Sequence, residues 1–183
     1  MAIKKNLLET GHPEASEIRG NLAQLYSEQA RFEEAETLFK RVILDYEKSL
    51  GENHPTLALN LANLGLLYRD QGKLEKAEAL FKRSLSINET ANGPYHPDVA
   101  LDINNLALIK THKGDYRAAI RLYKRALAIV EKSFGKEHND AAVILTNLGG
   151  VHNDLAQYSL AQQILRRAIS IFEKIHGPDH PSL

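Results

Sequence analysis

The chain repeats itself every 42 residues: His12, His54, His96, His138 and His180 are set apart by that interval without insertion or deletion. Gly51, Gly93, Gly135 and Gly177 each stand three residues before one of these histidines. Pro13, Pro55, Pro97 and Pro181 follow them, with Asn139 in the remaining unit. Between these marks recur Asn21-Leu22-Ala23, Asn63-Leu64-Gly65, Asn105-Leu106-Ala107 and Asn147-Leu148-Gly149. A period of this length marks a stacked-repeat architecture, in which each unit buries its apolar face against its neighbours.

Each unit reads as two helices. In the second, Leu61, Leu64, Gly65 and Tyr68 have the spacing of one helical face. After Gln71-Gly72 the pattern restarts at Leu74, Ala77, Phe81 and Ser84, and Leu80 and Ile87 widen its apolar arc. An arc that wide needs neighbours on two sides. Gly51 and its equivalents suit the left-handed position that ends a helix, and proline after histidine suits the first turn of the next. Gly72 and Gly114 mark a tight turn inside the unit, a slot filled by Ala30 and Ala156 elsewhere. No segment sustains a period of two, so strand content near zero is expected. Ala35, Ala77, Ala119 and Ala161 share one position, and Ala23, Gly65, Ala107 and Gly149 another. Such small residues let helix axes approach to roughly 8–10 Å.

Leu61, Leu64, Gly65, Tyr68, Ala77, Phe81 and Ser84, with their counterparts in the other units, resemble the tetratricopeptide repeat. The 42-residue unit with G-x-x-H-P between repeats is similar to the kinesin-light-chain subtype. The departures are Arg19 at the first apolar slot of unit one, Lys110 for the tyrosine of unit three, and His152 and Leu165 at the aromatic slots of unit four. The resemblance covers residues 12–176 and implies an all-α fold, a right-handed α-solenoid of antiparallel helix hairpins. The expected organisation is a single array over 1–183. It comprises the C-terminal part of a preceding helix (1–11), repeats over 12–53, 54–95, 96–137 and 138–179, and the stub of a fifth repeat (180–183). Ile164, Ile171 and Ile175 would then lie at an uncovered end, which admits end-to-end self-association.

Composition narrows the function. Lys and Arg number 23, as do Asp and Glu, which argues against nucleic acid or membrane lipid held by net charge. The absence of cysteine excludes disulfides, thiolate metal sites and cysteine nucleophiles. No run approaches a membrane span and the first residues lack a signal-peptide core, so a cytoplasmic protein is expected. Neither a phosphate loop, nor H-E-x-x-H, nor G-x-S-x-G is present. His112 and Asp115 lie together without a third group, so neither an enzyme nor a cofactor is expected. The linker histidines are spaced too far apart along a solenoid to share a metal ion, and capping of helix starts is their expected role. Lys40-Arg41, Lys82-Arg83, Lys124-Arg125 and Arg166-Arg167 read as a solvated stripe on the second helices. Glu36 and Glu78 precede Lys40 and Lys82 at ion-pair spacing, and the last two units lack those acids.

The resemblance further implies that the first helices line a concave face that holds peptides. On that face Asn21, Asn63, Asn105 and Asn147 recur at mid-helix, at a cost of about 2 kcal/mol relative to alanine. A carboxamide donates and accepts, so a row of them can pair with a peptide main chain whatever its side chains. Equally, each could bond a neighbouring helix and fix the repeat geometry. Leu59, Leu66, Leu101, Leu108 and Val143 would add apolar surface, and Asn104, Thr111 and Asn153 further hydrogen-bonding groups. Asp70, Glu28 and Asp154 add negative charge, Arg69 the one permanent positive charge, and His112 a titratable ring at a helix end. The expected function is non-catalytic binding of a peptide or partner segment, extended and neutral to mildly basic. The alternatives are a self-assembling scaffold or a regulatory array of a larger signalling protein.

Overall fold

A computed structural model describes residues 13–177. The expected helix tail over 1–11 and the stub over 180–183 lie outside the described residues, as do His12, His180 and Pro181. Among the described residues every regular element is an α-helix. The first helices of the repeats, α1 (Pro13–Glu28), α3 (Pro55–Asp70), α5 (Pro97–His112) and α7 (Asn139–Asp154), have 16 residues each. The second helices, α2 (Phe32–Leu50), α4 (Leu74–Asn92), α6 (Tyr116–Phe134) and α8 (Tyr158–His176), have 19. The chain forms two compact units, residues 1–91 and 92–183. In the first, α2 packs on α1 and α3, and α1 lies beside α3. In the second, α6 packs on α5 and α7, α8 packs on α7, and α5 lies beside α7.

The turn inside each repeat follows from one left-handed residue. Gly72 and Gly114 have φ of 71° and 74°, and Ala30 and Ala156 occupy the same conformation at 58° and 56°. The next residue returns its N–H to a carbonyl five residues back, as in Lys73 to Tyr68 (2.8 Å) and Gln157 to His152 (2.9 Å). That bond satisfies a helix-end carbonyl that would otherwise be orphaned. An L-residue pays roughly 1–2 kcal/mol for this conformation, and glycine gives part of that back as unfolded-chain entropy. Ala156→Gly is therefore expected to stabilise the second unit by about 0.5–1 kcal/mol, read as a higher urea midpoint.

Between repeats the backbone differs from expectation. Gly51, Gly135 and Gly177 have φ of 85–90° but ψ of 162–169°. This is an extended region open essentially to glycine alone, and not the left-handed helical one. The extended glycine redirects the chain so that histidine arrives as the cap of the next helix. Nδ1 of His54, His96 and His138 accepts the N–H of Thr56, Asp98 and Asp140, each at 3.3 Å. Each such bond satisfies one of the orphan donors of a helix start.

Within each unit the helices meet at the small residues. Ala23, Ala35, Ala77, Ala107 and Ala119 are fully buried, as are Phe39, Phe81 and Tyr123. A Cβ on Gly65 would stand 2.8 Å from the Phe81 ring, and one on Gly149 2.6 Å from Leu165. Ser84 ties α4 to α3 by donating to the Ala58 carbonyl at 2.9 Å. Arg19, the departure from the apolar slot, is buried and not solvated: its Nη1 meets Asp45 Oδ2 at 2.8 Å, and Asp45 also receives Arg41 Nε at 3.1 Å.

Candidate functional site

Three of the four first helices present an apolar side chain to solvent at one position. Leu59 is 62% exposed, Leu101 57% and Val143 40%, and the three occupy one position of the repeat. Leu66 and Leu108, about two helical turns farther on, are half-buried. Solitary exposed leucines are ordinary, but their recurrence in register leaves apolar surface that intramolecular packing does not use.

The four asparagines are unequal. Asn21 is exposed and Asn63 half-buried, whereas Asn105 is buried. The carboxamides of Asn63 and Asn105 have no hydrogen-bond partner among the described residues. Asn147 instead donates from Nδ2 to Oδ1 of buried Asn104 at 3.2 Å, tying α7 to α5. The cause is local: Asn104 stands one residue before the amide row, where the other repeats carry Gly20, Ala62 and Thr146. Arg69 does not project a free charge either, since Nε and Nη2 donate to its neighbour Asp70 Oδ1 at 2.9 and 2.8 Å. His112 is exposed at the end of α5.

In the second unit a cavity of about 350 Å³ opens between the N-terminal ends of α5 and α7, above the last turns of α6. Leu101 and Asn104 form one wall, Val143 and Ile144 the other, and Val130 and Phe134 the floor. Asp98 and Asp140 stand in the first turns at its mouth. Leu101, Asn104 and Val143 are among the residues expected on the first-helix face; Ile144, Val130, Phe134, Asp98 and Asp140 are not among those the repeat pattern singles out. Val130 and Phe134 belong to a second helix, so a search along first helices could not reach them.

The basic stripe on the second helices is largely self-neutralised. Lys40 meets Glu36 at 2.6 Å and Lys82 meets Glu78 at 2.7 Å, the pairs the spacing predicts. Further pairs run between successive second helices of a unit: Arg83 to Glu47 at 2.7 Å, and Arg167 to Glu131. These span about 36 residues and compensate for the missing acid in the last repeat. Glu36 also accepts the Tyr68 hydroxyl at 2.9 Å. The hydrogen bond from Lys40, aided by that from Tyr68 and by the Lys40 and Lys73 charges, outweighs burial and holds the Glu36 carboxyl below the usual range. Burial, with the Glu36 carboxylate, raises the Tyr68 phenol. No helix among the described residues is long and apolar enough to cross a membrane.

Stacked helical hairpins with small residues at their crossings define the class: an α-helical repeat protein. The chain belongs to the tetratricopeptide repeat family, whose model matches residues 15–90, 56–132 and 99–174. Its fold is like that of kinesin-light-chain-type arrays. BtubC (BKLC) from P. vanneervenii aligns over 95% of this chain and 69% of its own, with 24% identity and a TM-score of 0.81. The nearly identical TPR-like repeats of a Podosopora anserina kinesin-light-chain protein align in two crystal structures. These cover 95% and 96% of this chain and 82% and 83% of theirs, at 24% and 23% identity, with TM-scores of 0.77 and 0.75. No curated protein matches the sequence. Repeats of this family serve protein–protein interaction or scaffolding.

Proposed function

We propose that this is a non-catalytic, cytoplasmic interaction module whose first-helix faces bind an extended segment of a partner protein. The carrying observation is an exposed apolar side chain at one repeat position in each unit, Leu59 in the first and Leu101 and Val143 in the second. Amides lie beside them, two with no intramolecular hydrogen bond among the described residues. Apolar anchors supply affinity by leaving water, and carboxamides hold the main chain of the guest. Acidic groups at the helix ends (Glu28, Asp154), with Arg69 and Asp70 neutralising each other, favour a neutral to mildly basic segment.

The test selects phage-displayed random peptides on the intact chain and resynthesises the enriched ones as probes. The variant Asn63→Leu with Asn105→Leu, confirmed helical by circular dichroism, is expected to bind them at least ~10-fold more weakly, as for loss of one or two net hydrogen bonds. Equal affinity would discard capture of the guest backbone by these amides. The scaffold reading has one observation of its own, the exposed Leu160, Ile169 and Ile175 on α8; of the isoleucines expected to be uncovered, Ile171 is buried and Ile164 half-buried. Light scattering that shows mass growing with concentration would favour it; a constant monomer mass would count against it.

A further inference from the structure

The cavity of the second unit is lined by apolar side chains from three helices. Resting on the reading just given, we propose that this cleft receives a bulky apolar side chain flanked by lysine or arginine, so that the partner carries a hydrophobic–basic motif. Three large apolar side chains from three different helices are exposed yet converge on it: Leu101, Phe134 and Val143. Its volume of about 350 Å³ lies within the ~300–1,000 Å³ of pockets that enclose organic groups. Phe134 is held in place by stacking on the His138 ring, centroids 4.4 Å apart, and His138 is itself fixed as the cap of α7. A floor locked in this way loses little freedom on binding.

The mouth supplies the charge. Asp98 and Asp140 are both more than half exposed in side chain, and no lysine, arginine or histidine lines the cavity. Either aspartate alone would be explained by favourable interaction with its helix start. What that leaves unexplained is that both front one apolar opening, where a cation beside an apolar side chain would complement them. The corresponding positions of the first unit keep Glu14 for Asp98, Leu50 for Phe134 and Leu59 for Val143, but the rest of the lining changes. Glu17 stands for Leu101, Tyr46 for Val130, Asn60 for Ile144 and Thr56 for Asp140. The selectivity therefore belongs to the third and fourth repeats.

The same phage library on the intact chain tests this. Enriched peptides should carry Phe, Leu or Trp next to Lys or Arg. Val143→Phe, which fills the opening from an exposed position, should weaken the resynthesised peptides by about 10–100-fold, the worth of burying one large apolar side chain. Asp98→Asn with Asp140→Asn should remove most of their salt dependence. Enrichment of acidic or non-apolar peptides, or undiminished binding to Val143→Phe, would overturn the proposal. If affinity falls only in the Asn63 and Asn105 variant, the cleft is refuted and the amide face stands; if only in Val143→Phe, the reverse. A library that yields no binder refutes both.

Discussion

Arg19→Leu is expected to destabilise the first unit by about 3 kcal/mol, although leucine or isoleucine is what the other repeats carry at that position. The equivalents are Leu61, Ile103 and Leu145, all buried. The cost arises at Asp45, which is 6% exposed and would lose a partner at 2.8 Å. Removing one member of a buried pair typically costs ~3–5 kcal/mol, because the remaining charge stays desolvated. Arg41, at 3.1 Å and half exposed, still reaches Asp45 and places the effect at the low end of that range. The companion variant Arg19→Leu with Asp45→Ile should recover the loss and gain up to about 1–4 kcal/mol, as replacements of buried ion pairs by packed apolar residues do. Ile87, Ile129 and Ile171 already occupy the Asp45 position in the other repeats, so the shape is accommodated. Urea denaturation followed by circular dichroism decides. A double variant no more stable than the single one would mean that the first repeat is not interchangeable with its neighbours.

That pair also shows where sequence reading stops. Arg19 was visible as a departure, but its partner lies 26 residues away on another helix, and nothing local announces it. The histidine caps were legible because the bond spans two residues, from Nδ1 of His54 to the N–H of Thr56. For the same reason Lys40–Glu36 was legible while Arg83–Glu47 was not. The linker glycines were recognised as helix ends, yet their ψ depends on how the next helix docks, which the chain does not state locally. The candidate site divides likewise. Periodicity put Leu59, Leu101 and Val143 in one register, and burial then separated them from half-buried Leu66 and Leu108. It also put four asparagines in one register, but could not foresee that Asn104 would claim Asn147. Repeats are identical in frame and different in neighbours, and the neighbours decide what each amide does.

The same principle predicts that opposite substitutions at one repeat position are both destabilising. Gly65→Ala should lower stability by about 1–2 kcal/mol, against the usual gain of roughly 1 kcal/mol when alanine replaces glycine in a helix. The added methyl would sit 2.8–3.0 Å from three atoms of the Phe81 ring, which is fully buried and cannot swing aside. Overpacking of this kind costs ~1–3 kcal/mol and outweighs the backbone gain. Ala23 and Ala107 stand at the same position and are fully buried, so Ala107→Gly should destabilise, by about 1 kcal/mol. A double-mutant cycle isolates the cause. Phe81→Leu shortens the side chain that meets the new methyl, so its cost in the Gly65→Ala background should be at least ~0.5 kcal/mol smaller than in the parent. Strict additivity in thermal or urea midpoints would mean that the ring moves freely and that the close approach of α3 and α4 is not set by glycine.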